Sequence, residues 1–288
     1  MLLEGIETLL ILSKHKTMSR TGSQLYISAS AVSKRIANLE RKLGKRLIEP
    51  DGRQVRLTAD AVALIENIGP SFNELQGLIF DQQTLPDSTP LRIDCSETLV
   101  AGFLSDVFSH HLHQDPHLNI TTNHTPRIVE NVQSGQATLG ICAGHIPSHH
   151  GLKAIHLTDE PFYTISKQPL TQLPACVITN DLNNPANSYQ RLVLNQLGIA
   201  PLMEMDSYSA AAQLALAGVA PAIVPLSMVN TLKISRQYCF QFEELRGLYR
   251  PLHICLRPHS YKNPRIRSLI TAIDDAVPKA ISAPWPST

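Results

Sequence analysis

Between Ser28 and Arg56 the chain carries hydroxyls, an amide and cations at spacings that suit a polyanion. Ser28, Ala29, Ser30, Ser33, Lys34, Arg35 and Asn38 lie along one helix-forming stretch, and Arg53 and Arg56 follow an Asp51-Gly52 turn. Small residues at the start of a helix let it seat deeply in a DNA major groove. A serine at that start, with the open N–H groups behind it, can hold a phosphate. Arginines on a short hairpin can reach the sugar–phosphate backbone or the minor groove. The competing reading is a solvated basic face on an ordinary three-helix bundle, and charge alone would favour it. The elements that carry these residues favour DNA.

A second set of polar residues sits where strand-like runs hand over to helices. Ser96 and Thr98 follow Leu91–Cys95, and Ser207 follows the run 201–206; such junctions offer hydroxyls and backbone N–H groups to an anion. His145 follows Thr138–Ala143, and Arg127 opens another helical stretch. Each hydroxyl serves equally well as a helix N-cap, and the two roles can coexist. Nine of the twelve histidines lie between His110 and His156, which raises metal binding. However, His110, His111 and His113 belong at a helix C-terminus, where positive charge is favoured. His149 and His150 fall in a polar turn, and His113 and His117 straddle Asp115-Pro116. No metal or other cofactor is expected. The five cysteines (Cys95, Cys142, Cys176, Cys239, Cys255) are odd in number and lack C-x-x-C spacing, so they read as free, strand-buried thiols of a reducing compartment. The motifs of phosphate-binding loops, dinucleotide sites, serine hydrolases and zinc proteases are missing, so an enzyme is not expected.

Apolar periodicity predicts the helices and strands that hold these residues. Leu2, Leu3, Ile6, Leu9, Leu10 and Ile11 predict an amphipathic helix over 2–14. Ser19–Leu25 reads as a short helix capped by Ser19. Ser28 caps a third helix with the stripe Val32, Ile36, Leu39 and Leu43, stopped by Gly44. A hairpin of 46–49 and 54–57 comes next. Two short helices and a basic hairpin describe a winged helix-turn-helix. Thr58 then caps a long helix to about Gln83, in which Ala61, Ile65, Ile68, Phe72, Leu75 and Ile79 form a heptad seam wanting a partner helix. Gly69-Pro70 should kink or loosen that helix. Residues 84–90 read as a linker. Beyond residue 90, strands and helices alternate, with strand candidates at 152–157 and 161–166 among others; that alternation implies parallel sheets flanked by helices in two α/β lobes.

The charge is distributed unevenly. The 288 residues sum to +1, but residues 1–60 hold eleven Lys/Arg against six Asp/Glu, and the remainder is net acidic. A basic head precedes a larger acidic body. No apolar run approaches the ~20 residues of a membrane span, and the N-terminus is a poor signal peptide, so a cytoplasmic location is expected.

The run Thr17–Ile36, with Leu39-Glu40, Leu43-Gly44, Arg46-Leu47 and Val55-Arg56-Leu57-Thr58, resembles the helix-turn-helix of LysR-type transcriptional regulators. Gln168-Pro169-Leu170 and Ala217–Pro225 resemble later segments of the same family. Departures are Ala29-Ser30 for the family's Gln-Pro or Gln-Ser, Pro50 for an arginine, Ala61 for a glycine and Thr138 for an aspartate. The resemblance implies an N-terminal winged helix-turn-helix (1–58), a dimerisation helix and hinge (59–89) using Ile65, Ile68, Phe72, Leu75 and Ile79, and an effector domain (90–288). That domain would be a two-lobed, periplasmic-binding-protein-like α/β fold, lobe one about 90–166 and 263–288, lobe two about 167–262. Implied partners are a double-stranded DNA operator, a small anionic effector such as a carboxylate, and further copies of the chain in dimers and tetramers; no membrane is involved. Ser96, Thr98, His145, Ser207 and Arg127 would line the effector cleft. The alternative is a cytosolic small-molecule binder whose basic head contacts protein.

Overall fold

The computed structural model describes residues 2–52, 54–81, 90–147 and 151–283. Arg53, the 84–89 part of the expected linker, His149 and His150 lie outside the described residues. The chain divides into two compact units, Met1–Gln76 and Gly77–Thr288.

In the first unit, helices α1 (Leu2–His15), α2 (Met18–Leu25) and α3 (Ala29–Leu43) precede the antiparallel hairpin β1 (Ile48–Asp51) and β2 (Gln54–Leu57), and helix α4 (Ala59–Asp81) comes after it. Ile6, Leu9, Leu12, Ile36, Leu39 and Leu47 make the core. The cap of α2 is Thr17, not Ser19: the Thr17 hydroxyl accepts from the Arg20 N–H, so the helix starts one residue earlier than periodicity suggests. Ser28 does cap α3, accepting from the Ala31 N–H, and Gly44 ends it. Thr58 caps α4 through the Ala61 N–H.

The corner between α2 and α3 is tight. The Ile27 N–H donates to the Gly22 carbonyl at 2.9 Å, and a Cβ on Gly22 would stand 2.6 Å from the Ile27 carbonyl oxygen. Folding back this closely forces Tyr26 into the left-handed region (φ 55°, ψ 38°) with its side chain 96% exposed. Asparagine tolerates that conformation better than tyrosine. Tyr26→Asn is therefore expected to raise the stability of this unit by about 0.5–1 kcal/mol. A urea midpoint that falls would contradict it.

Helix α4 remains helical through Pro70. Ala61 and Phe72 are buried in the core of the first unit, and Ile65 and Ile68 pack against it. The expected partner-seeking seam is thus divided: its first four positions serve this chain's own head, whereas Leu75 and Ile79 stay exposed. The reason is geometric, since a 4-3-4 apolar spacing suits a helix's own bundle as well as a second copy.

In the larger unit, β3 (Leu91–Cys95) leads into a continuous helical run: α5 (Glu97–Leu99), a π-turn (Val100–Leu104) and α6 (Ser105–Gln114). Then come β4 (Leu118–Thr122), α7 (Thr125–Gln133), β5 (Leu139–Ala143), β6 (Lys153–Ile165), β7 (Cys176–Asn180), α8 (Ser188–Gln196), β8 (Ala200–Met205), α9 (Tyr208–Ala217), β9 (Ala222–Pro225), α10 (Leu226–Thr231), β10 (Cys239–Phe240), β11 (Tyr249–Leu256) and α11 (Pro264–Ser282). The strand order is β4-β3-β5-β11-β6-β9-β7-β8, with β10 also on β6.

Three sequence expectations change here. The strand candidates 152–157 and 161–166 are one strand, β6, whose first part pairs β11 and whose end pairs β9 and β10. Strand β11, expected in the second lobe, inserts between β5 and β6 on the first half of the sheet. The sheet is mixed, because β11 runs antiparallel to both neighbours. A strand returning to an earlier half leaves no mark in its own hydropathy, so periodicity alone misplaces it.

Candidate functional site

On the first unit, Ser28, Ala29, Ser30, Ser33 and Lys34 are exposed along the start of α3. Ser30 Oγ lies 2.9 Å from Ser28 Oγ. Lys34 enters no ion pair or hydrogen bond among the described residues. Asn38 is half-buried, and Arg35 is half-buried with Nη2 3.9 Å from Glu4 on α1. Arg56 sits opposite Glu49 in the hairpin and donates to its carboxylate at 2.6 Å. That hydrogen bond, with the Glu49 charge, raises the Arg56 pKa above its ordinary value.

On the larger unit, a cavity of about 370 Å3 opens at the carboxyl ends of the parallel strands. Open α/β sheets bind ligands at that edge, where strand ends and helix starts converge. Ser96, Glu97 and Thr98 succeed β3; Thr122 ends β4 and Asn123–Thr125 succeed it; Asn180 ends β7; Asp206, Ser207 and Tyr208 succeed β8; and Arg250 comes from β11.

Arg250 organises one wall. It is 3% exposed, and Glu160, its register partner on β6, is fully buried. Arg250 Nε and Nη2 donate to Glu160 Oε2 at 2.8 and 2.6 Å, and Nη2 also donates to Thr98 Oγ1 and Ser227 Oγ, each at 3.0 Å. The Ser227 N–H donates to Glu160 Oε1 at 2.6 Å. Ser227 can come this close because Gly102, in the π-turn, has no side chain: a Cβ there would meet the Ser227 Cβ and carbonyl oxygen at 2.6 Å. Burial is the largest single influence and lowers the Arg250 pKa, but the Glu160 charge, Tyr208, Tyr189 and the hydrogen bond to Glu160 together carry the net shift upward.

Three of the five sequence-predicted cleft residues reach this cavity. Ser96 occupies the N-cap position of α5 without a capping bond; its Oγ lies 3.2 Å from Thr98 Oγ1. Ser207 both lines the cavity and caps α9, accepting from the Ala210 N–H. His145 does not line it: the imidazole is exposed and stacks on Tyr189, 4.6 Å between centroids, because Gly144 ends β5 in a turn. Arg127 does not line it either; it is exposed and paired with Glu130 at 2.9 Å, one turn along its own helix. Sequence reasoning missed Arg250, Glu97, Asn180 and Asp206. A lone Arg within the apolar strand β11 was a visible signal, but its pairing with Glu160 across 90 residues was not.

The histidines at the end of α6 bond carbonyls one turn back: His111 Nδ1 to Val107 at 2.9 Å and His113 Nδ1 to Ser109 at 2.6 Å. Cys95, Cys142 and Cys255 are buried free thiols, and Cys176 and Cys239 are half-buried. Burial pushes the Cys239 thiol up to about 12.

Residues 3–62 match the family described as bacterial regulatory helix-turn-helix protein, lysR family, and residues 86–278 match the LysR substrate binding domain. The chain belongs to the LysR family of transcriptional regulators. An uncharacterized HTH-type transcriptional regulator of Vibrio cholerae is 68% identical to this LysR-type chain over 284 residues, 99% of each. Among solved structures, a full-length OxyR variant from Pseudomonas aeruginosa superposes with a TM-score of 0.61 at 19% identity, covering 100% of this chain and 98% of that one. CbnR, a LysR family transcriptional regulator, gives 0.53 at 16% identity, covering 98% and 100%. Those two likenesses concern the fold. Membership makes the first unit a DNA-binding head and the second a ligand-binding body, and sets aside both an enzyme and a head used for protein contacts. No helix among the described residues is long and apolar enough to cross a membrane.

Proposed function

We propose that this LysR-type regulator reads operator DNA with the exposed start of α3 and the hairpin, and that a small carboxylate-bearing effector in the cavity at the strand ends controls it. The protein acts in the cytoplasm as dimers joined through the exposed end of α4, and the dimers pair into tetramers. The observation that carries the reading is the cavity itself. It is a polar space of about 370 Å3, within the size range of small-molecule sites, and a buried arginine and several serine and threonine side chains, Ser96, Thr98 and Ser207 among them, converge on it in a chain that carries a DNA-binding head. Arg250 Nη1 takes no part in the bonds to Glu160, Thr98 and Ser227, so that donor remains for a carboxylate. Control requires that the effector bind one arrangement of the oligomer better than another.

DNA contact on α3 is tested by Lys34→Ala. The substitution removes one exposed cation and touches no packing, so the fold should be unchanged. Binding to DNA from sites found by genomic footprinting should weaken, and the slope of log K against log salt should fall by about 0.9. An unchanged slope in a salt-titrated shift assay counts against phosphate contact by Lys34. Ser30 and Arg56 contribute to the same surface, Arg56 only to the extent that DNA competes with Glu49.

A further inference from the structure

We propose that the effector is a zwitterion, a small molecule of the α-amino-acid type that presents a carboxylate to the Arg250 side of the cavity and an ammonium to the Asp206 and Glu97 side. The proposal rests on the reading of the cavity as the effector site and names the chemical class that the site takes.

The charge balance of the wall argues against a plain anion. The buried cation, Arg250, already has its counter-charge in Glu160, so the pair is neutral overall. The other charged side chains on the lining are Glu97 and Asp206, both carboxylates, with His124 Nε2 3.9 Å from Asp206 Oδ1. A monoanion would meet, besides the already paired Arg250, two exposed carboxylates on the lining and no further unpaired cation there among the described residues. A zwitterion brings its own cation to those carboxylates and still offers a carboxylate to the unused Nη1 donor.

Hydrogen bonding points the same way. Asn180, at the end of β7, is one of the lining residues, and its Oδ1 is buried with no hydrogen-bond partner among the described residues. A buried acceptor left without a donor is costly, and such groups in native structures call for an explanation. With the amide turned toward the cavity, a carboxylate has no hydrogen to give it, whereas an ammonium has three. At the other end, Thr98 accepts from Arg250, and Ser96, free of capping duty and hydrogen-bonded to Thr98 Oγ1, has capacity left for the ligand. Apart from Tyr208, Ala143 and Ala186 the lining is polar, so the fit is to a short or polar side chain.

The test uses the full-length protein in calorimetric and thermal-unfolding titrations. The probes are glycine and the L-isomers of alanine, serine, threonine, asparagine and glutamine, with glycolate, lactate and glycerate as counterparts that lack the ammonium. At least one amino acid should bind and raise the unfolding midpoint, with glycolate, lactate and glycerate about tenfold weaker or worse. Asp206→Asn, at an exposed carboxylate, should weaken that amino acid about tenfold without strengthening the fold. Absence of binding by every amino acid overturns the proposal. So does a hydroxy acid that binds as well as the amino acids; if Ser96→Ala weakens it, the cavity is still an effector site, but for an anion. Amino-acid binding that neither Ser96→Ala nor Asp206→Asn alters would overturn the cavity reading itself.

Discussion

Glu160→Leu should lower the unfolding free energy of the larger unit by about 3–5 kcal/mol, the cost of leaving one member of a buried ion pair without the other. Arg250 would then stand 3% exposed with its charge uncompensated, still holding Thr98 and Ser227 but no carboxylate. The Ser227 N–H would lose its acceptor as well. The companion variant Glu160→Leu/Arg250→Met should recover most of that loss, because two apolar side chains of similar size satisfy the space without desolvated charge. Urea denaturation followed by circular dichroism measures both. If the double variant is as unstable as the single one, the pair is not the source of the effect. The comparison also separates stability from binding, since the double variant should fold yet fail to hold an effector.

The second large effect divides α4. Phe72→Ala should cost the head about 3–5 kcal/mol by opening a cavity among Ile6, Leu9 and Ile36 and their neighbours. Leu75→Asp, three residues on, should leave that core intact, because Leu75 is 38% exposed. Its effect should instead be on self-association, read by sedimentation equilibrium as loss of the dimer. Ile79→Asp, at a position 56% exposed, should behave likewise. A Leu75→Asp protein that remains dimeric, or a Phe72→Ala protein of unchanged stability, would reverse the division proposed for this helix.

The helices of the head were legible because each carries its own punctuation: Ser28 before α3, Gly44 after it, Thr58 before α4. The cap of α2 was misplaced on Ser19, because composition does not fix which nearby hydroxyl accepts; backbone geometry puts it on Thr17. In the cavity, Ser96, Thr98 and Ser207 were legible because they sit at strand-to-helix junctions, which are readable locally. Arg250 and Asn180 were not, since their significance comes from β11 returning to pair with β5 and β6 and from two strand ends meeting in space. His145 had the right sequence position, but the turn at Gly144 sends its ring to Tyr189 instead. The seam on α4 had the right period, yet a period does not say whether its partner belongs to the same chain or another.

The π-turn at Val100–Leu104 sets the rotational phase of α6. Leu99 and Leu104, five residues apart, are both fully buried, and Phe108 is buried four residues further on. An ordinary helix turns about 100° per residue, so five steps would carry the second leucine well away from the first. One residue here is surplus to the α-helical count. Deleting it would rotate all of Ser105–Gln114 against the sheet and would also move Gly102 off its seat against Ser227. The length of this short stretch is therefore under as much constraint as any of its residue types, and a related sequence one residue shorter here could not hold the same wall of the cavity.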